Sequence, residues 1–308
     1  MDLFDSEELR KTLQHLLPGI KINGTPKTPS GQRVVYFCSF SEDLCEDWQK
    51  DWFEWGEVVL KVSQGIHPNE IARLEKEINI LTQINSSYYP KLYYDNVFTE
   101  DPVTEEIFNN RLFITIEEKI LGTPLSECVE IFNDEESVLT LLLNLVDGLR
   151  LLWEHKQKII HRDLKPANIL ISDNNNIVII DLGIIREEGT AGLTMTHVPF
   201  GPCSPPYASP EQAQNKKKFI SFKSDFFSLG VIAYELLSGK NPFYDGENDS
   251  INDVLQKVVH LDPPTLADLG KSTKDMSKFI ETLMSKEPYK RPRTVDMIKS
   301  NILTLMEK

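Results

Sequence analysis

A change of hydrophobic period divides this chain and limits what it can fold into. Between residue 20 and about 118 the apolar residues mostly alternate, as they do on half-buried strands: QRVVYFCSF (32–40), EVVLKV (57–62), PKLYYDNVF (90–98) and RLFITIEE (111–118). One segment interrupts them with helical spacing, NEIARLEKEINILTQI (69–84), where Ile71, Leu74, Ile78 and Leu81 share a face. Beyond about 120 the pattern is mostly helical, apart from a hairpin-like stretch at 167–183 with its turn at Asn174–Asn176. A small β-rich half followed by a larger helical half predicts an α+β chain of two lobes, with a ligand expected in the cleft between them. Residues 5–17 precede both as a short helix. Asp5 and Glu8 have capping-box spacing, Leu9, Leu13, Leu16 and Leu17 form one face, and Pro18-Gly19 stop it.

Residues 161–170 read HRDLKPANIL. Asp163 stands two residues before Lys165 and five before Asn168, immediately ahead of the hairpin; DLG (181–183) follows it. A hairpin returns its ends to one edge, so Asp163, Asn168 and Asp181 should converge. Carboxylate and amide oxygens suit a hard cation such as Mg²⁺ that also holds phosphates. Asp163 is then placed to orient a hydroxyl and accept its proton, and Lys165 to neutralise charge on a transferred phosphoryl group.

With HRDLKPAN, DLG, SPEQ (209–212), SDFFSLG (224–230) and KRP (290–292) in that order, the chain resembles the eukaryotic-type (Hanks-type) serine/threonine protein kinases over about residues 20–305. The resemblance implies the two-lobed protein-kinase-like fold, with a leading helix in 1–19, an N-lobe at 20–118 and a C-lobe at 119–308. It implies transfer of the γ-phosphate of ATP to a protein hydroxyl, with Mg²⁺ as the metal and Mn²⁺ as an alternative. Carried over residue by residue, Asp163 is the catalytic base, and Asn168 and Asp181 are the metal ligands. Lys61 of EVVLKV is the lysine on the phosphates. Glu77 is its expected ion-pair partner, with Glu75 as the rival. Glu211 is expected to pair with Arg291, and Asp225 to brace the HRD backbone. Lys165 is the serine/threonine-type signature, and Ser204 matches the family's threonine that contacts the base and that lysine. The activation loop, 184–208, carries Thr190, Thr194, Thr196 and Ser204. Autophosphorylation at Thr194 or Thr196 would give Arg162 a phosphate to pair with.

Three segments depart from the family's pattern. The glycine-rich loop is INGTPKTPSGQRVVYF (22–37), in which Gly24 and Gly31 remain and Pro26 and Pro29 replace flexible positions. Phosphates there are covered poorly, or by side chains such as Lys27 or Arg33, and a weak or catalytically silent kinase-like scaffold is the alternative reading. The stretch SEDLCEDWQKDWFEWGE (41–57) carries seven acids, with Cys45, Trp48, Trp52 and Trp55 at helical spacing. It reads as an acidic amphipathic helix that docks a partner, or as an insert whose tryptophans pack on the N-lobe. Near the adenine-binding linker, FITIEEKILGTPL (113–125), Glu118 falls in the hinge and Glu117, or Ile116 with a one-residue offset, at the gatekeeper position.

Charge and cysteine usage narrow the partners. Thirty-three basic against 47 acidic residues give a net charge of −14, which argues against non-specific nucleic-acid binding. The most apolar stretch, TLLLNLVDGLRLLW (140–153), is broken by Asn144, Asp147 and Arg150, so no membrane span is expected. The acidic N-terminus does not read as a signal peptide. The four cysteines, Cys38, Cys45, Cys128 and Cys203, form no CxxC pair, which predicts reduced thiols and a cytoplasmic protein; that it acts on protein substrates is what the resemblance implies. A third reading is a small-molecule kinase.

Overall fold

A computed structural model describes residues 4–26, 29–30, 33–49, 51–65, 68–172, 176–182, 185–187, 203–246 and 249–308. The chain divides into two compact units, Met1–Leu121 and Gly122–Lys308. The first takes in the leading helix that the sequence sets apart, and it runs three residues past the expected boundary at 118.

The small unit is built on an antiparallel sheet. Its strands are β1 (Ile20–Asn23), β2 (Pro29–Ser30), β3 (Arg33–Phe40), β4 (Val58–Gly65), β5 (Leu92–Glu100) and β6 (Ile107–Glu118). They lie in the order β1-β3-β4-β6-β5, with β2 also paired to β3. Strict alternation decides which side chains go where: Val34, Tyr36, Cys38, Val58, Leu60, Val62, Ile114 and Ile116 are fully buried on one face. Helix α1 (Glu7–Leu16) covers that face with Leu9, Leu13, Leu16 and the following Leu17, all in one core cluster. A ten-residue helix is marginal alone, and each buried leucine contributes about 1.5–3 kcal/mol, so packing holds α1 in place. Its cap is Ser6, whose Oγ accepts from the Leu9 N–H at 3.0 Å, and not the expected Asp5. Asp5 instead accepts a fork from Arg10 (2.8 and 2.9 Å) and the Tyr36 hydroxyl (2.8 Å), which ties the helix start to β3. The Arg10 guanidinium beside it holds the Asp5 carboxyl below the usual carboxylate range.

The 41–57 insert is not the amphipathic helix that its spacing predicts. It makes three short 3₁₀ turns, because Asp51 takes a left-handed backbone (φ 71°) and Gly56 has φ 67°. Trp52 and Trp55 pack inward. Trp52 is 6% exposed and lies edge-on to Phe40. Trp55 stacks on Trp52 and Tyr93 with ring centroids 4.8 and 4.9 Å apart. Gln49, fully buried, donates to the Pro18 carbonyl at 2.9 Å and locks the insert to the end of α1. The docking reading therefore loses its three-tryptophan face, and of the three only Trp48 stays about half exposed.

Helix α2 (Pro68–Gln83) packs against β4 and β5.

The large unit begins with β7 (Gly122–Pro124), followed by helix α3 (Glu135–Trp153) and β8 (Ile159–Ile160). The hairpin is β9 (Ile169–Ser172) against β10 (Ile177–Ile179), with β7 on the other side of β9. Its tip at 173–175 lies outside the described residues. A short strand, β11 (Arg186–Glu187), pairs with β8. The remaining helices are α4 (Pro210–Ala213), α5 (Phe222–Ser238), α6 (Ile251–His260), α7 (Lys274–Leu283) and α8 (Val295–Met306). Thirteen of the seventeen residues of α5 are buried, which makes it the axis on which α3 and α7 pack.

Candidate active site

In the large unit the residues of HRDLKPAN converge on Asp163. The Lys165 ammonium donates to Asp163 Oδ2 at 3.0 Å and to Ser204 Oγ at 2.9 Å, and the Ser204 N–H donates to Asp163 Oδ1 at 3.0 Å. The Asn168 amide nitrogen donates to the Asp163 carbonyl (2.9 Å) and to Oδ2 (3.2 Å). These bonds fix the plane of one carboxylate from both sides. The first turn after Lys165 starts at Pro166, whose ring suits the first turn of a helix. The hairpin then returns the chain: the Ile180 N–H bonds to the Asn168 carbonyl at 2.9 Å, which brings Asp181 next to Asn168 in space. Asp181 is exposed and Leu182 buried; Gly183 lies outside the described residues.

Two of these positions have an unusual backbone. Arg162 (φ 72°) and Asp181 (φ 64°) are left-handed, which costs a non-glycine residue of order 1–3 kcal/mol. Arg162 is held there from both sides of its peptide. Asp225 Oδ1 accepts its N–H at 2.9 Å, and Gln212 Nε2 donates to its carbonyl at 2.9 Å. Asp225 also accepts from the His161 N–H (3.0 Å) and Trp153 Nε1 (2.8 Å) through its other oxygen. Burial pushes the Asp225 carboxyl above the usual carboxylate range, against the pull of those donors. His161 is fully buried, and burial holds its pKa below the usual imidazole value, so the ring stays neutral. Burial also pushes the Cys203 thiol, next to Ser204, up to about 11, so it is inert at neutral pH.

A second buried knot lies behind the first. Arg291, 1% exposed, forks onto Glu211 at 2.7 and 2.9 Å and donates to the carbonyls of Ser285, Lys223 and Lys286. Ser224 Oγ donates to the same Glu211 at 2.7 Å. Sequence reasoning did not single out Trp153, Gln212 or Ser224. The signal for Gln212 was its place beside Glu211 in SPEQ. Trp153 gave none, because a tryptophan closing an apolar helix looks like core.

In the small unit the charges pair otherwise than expected. Lys61 Nζ lies 2.7 Å from Glu117 Oε2. Glu77 is gripped by Arg33 through Nη1 (3.1 Å) and Nη2 (2.5 Å). The expected partners Lys61 and Glu77 thus each hold another residue. Arg33, offered above as phosphate cover, bonds Ser63 Oγ at 3.0 Å and Glu77 of α2. Gly24 closes β1 with φ 70°, and its carbonyl accepts from Arg10 at 2.8 Å. Gly31, Lys27, Thr190, Thr194 and Thr196 lie outside the described residues. Glu118 ends β6, exchanging backbone and side-chain bonds with Lys91. All four cysteines are free, and among the described residues no helix is long and apolar enough to cross a membrane.

Comparison with known proteins bears on this geometry. A family model described as the protein kinase domain matches residues 57–303. The chain is similar to a probable serine/threonine-protein kinase PknB of Bifidobacterium longum, 28% identical over 81% of this chain and 36% of that protein. It is also similar to the serine/threonine-protein kinase PknB of Mycobacterium tuberculosis, 34% identical over 49% of this chain and 24% of that one. A probable serine/threonine-protein kinase of Streptomyces coelicolor is 31% identical over 54% of this chain and 24% of its own length. The chain thus spans between about a quarter and a third of the length of these relatives. The family match covers well over half of the sequence and includes both buried knots: the chain belongs to the protein kinase domain family.

Proposed function

We propose that this chain is an ATP-dependent serine/threonine protein kinase. The observation that carries the reading is the Asp163 carboxylate held by Lys165, Asn168 and the Ser204 N–H. In the family's account of phosphoryl transfer, the group at the position of Asp163 receives the proton of the attacking hydroxyl, and catalysis is mostly positioning and charge stabilisation. Asp163 suits that role because three donors orient it while it keeps partial exposure. Lys165, bonded to the base and to Ser204, is placed to stabilise charge on the phosphoryl group in transit. A lysine two residues after the base, linked to a hydroxyl on the segment that leads into SPEQ, favours serine and threonine acceptors over tyrosine.

The donor set fits a divalent cation. The Asn168 nitrogen is directed at Asp163, which leaves the amide oxygen as the atom a metal would take, and Asp181 supplies an adjacent carboxylate on an exposed turn. Such oxygen ligands suit Mg²⁺, with Mn²⁺ as the alternative, and the ion would neutralise the phosphates of ATP. Lys61 is assigned to those phosphates, Glu118 to the adenine linker, and Gly24 and Gly31 to the phosphate loop by resemblance. Autophosphorylation at Thr194 or Thr196, a cytoplasmic setting for the four free thiols and a protein substrate complete the reading.

The test is transfer from radiolabelled ATP to a generic basic protein, with Mg²⁺ present. Asp163→Asn should lower turnover by about 10²–10⁴-fold, the usual worth of a positioned acid–base group. Labelling that survives the substitution, or its absence in the unaltered protein, overturns the assignment. Mass spectrometry of the active protein then tests the loop: no phosphate between 184 and 208 removes the autophosphorylation step.

A further inference from the structure

The small unit brings four charged side chains to one face of its sheet. Lys61 faces Thr115 across the β4–β6 ladder, and Glu117, two residues on and opposite Val59, is its diagonal neighbour on the same face. Arg33 faces Ser63 across β3–β4, donates to its Oγ at 3.0 Å, and reaches α2 to fork onto Glu77. Glu77 and Glu117 are each 3% exposed.

That arrangement has an electrostatic logic. An ionised carboxylate buried without a cation costs several kcal/mol. A glutamate at 117 brings a second buried carboxylate within reach of the lysine that the family pairs with the helix glutamate. One lysine carries one charge and cannot neutralise two buried carboxylates, and Arg33 supplies the second cation. Its planar fork takes both oxygens of Glu77, a geometry that lysine cannot match. If Lys61 turned to Glu77, that carboxylate would hold two cations and Glu117 would lose its own.

We propose that Glu117 is the positioning residue of Lys61 in this protein, and that Arg33 anchors α2 by taking over Glu77. The inference rests on Lys61 being the lysine that meets the ATP phosphates. Glu117 touches no substrate in this account; it sets where the Lys61 ammonium sits. Its effect therefore falls on the use of ATP rather than on the acceptor.

Glu117→Gln and Glu77→Gln in the full chain decide it, with KM for ATP and kcat measured separately on a basic protein substrate. Glu117→Gln should raise KM for ATP about tenfold or more with KM for the acceptor unchanged, and Glu77→Gln should raise it less. Urea midpoints supply a readout that needs no turnover. Lys61→Met with Glu117→Gln should shift the midpoint little beyond the worse single variant, and so should Arg33→Met with Glu77→Gln. The shifts of Lys61→Met and Glu77→Gln should add. If Glu77→Gln abolishes the use of ATP while Glu117→Gln leaves KM unchanged or lowers it, Lys61 works with Glu77 and the proposal is overturned. Coupled midpoints with neither carboxylate affecting KM overturn the role given to Lys61, and Glu117 is then structural. An unaltered protein that labels nothing overturns the kinase activity itself, and the midpoints still decide the pairing.

Discussion

Glu211 in the large unit and Glu77 in the small unit are the same device in different settings. Each is a carboxylate only 3% exposed, and each is gripped by an arginine fork. Around Glu211 every direction is taken: Arg291 has no exposed side-chain surface, gives its remaining donors to three backbone carbonyls, and Ser224 adds a further bond. Around Glu77 the arginine keeps 17% of its side chain exposed, and a second cation, Lys61, stands one strand away. The large unit thus fixes its polar groups by saturation. The small unit fixes them by a choice among partners, and a choice can be made differently.

The largest effect should come from breaking the saturated knot. Arg291→Met leaves Glu211 buried without its cation and should destabilise the large unit by about 3–5 kcal/mol. Changing Glu211 to Met as well should recover much of the loss, because no buried charge then remains. Arg33→Met should cost less, about 1–3 kcal/mol, since solvent reaches part of the site. Equilibrium urea unfolding of both variants checks the contrast, and equal losses would end it.

A smaller loss should follow where the large unit converts side-chain bonds into backbone shape. Asp225→Asn keeps the size of the group but turns one acceptor into a donor among the N–H groups of His161, Arg162 and Trp153. Each stranded donor should cost about 1–3 kcal/mol. The left-handed turn at Arg162 then loses one of its two restraints, so turnover should fall while Asp163 itself is intact. If stability falls and turnover does not, the brace is structural only.

The same contrast explains what could be read from the sequence. The large unit's site is written in contiguous words: Asp163, Lys165 and Asn168 lie within six residues, and the hairpin that returns Asp181 is visible as two apolar runs around asparagines. The strands and helix of the small unit were legible too, since burial alternates along β3 without a fault. Its charge pairing was not. Arg33, Lys61, Glu77 and Glu117 come from four elements, and the partner each takes depends on ladder register, which period alone does not give. The insert failed for a related reason. Trp48, Trp52 and Trp55 have helical spacing, but Asp51 and Gly56 take backbone angles that end a helix, and the aromatics of β3 and β5 offered a better partner than solvent. The family match also starts at residue 57, after the segments that depart most from the pattern.

The smallest effect tests whether the leading helix belongs to the small unit's fold or merely rests on it. Ser6 caps α1, and Thr273 caps α7 in the large unit through the same bond, its side chain accepting from the Met276 N–H. Either hydroxyl removed should cost about 1 kcal/mol. For Thr273→Ala the loss must appear in the large unit, because Met276, Phe279 and Ile280 of α7 are core. For Ser6→Ala the outcome depends on α1. Leu13 and Leu17 are fully buried against the sheet that also carries Lys61, so fraying α1 should loosen that sheet. Hydrogen exchange should then rise in β3 and β4 together with α1, and the small unit's unfolding midpoint should shift. Faster exchange confined to residues 6–17 would mean that the sheet stands without its helix. The small unit would then be held by strand pairing and the tryptophan insert, and α1 would contribute no more than its own leucines.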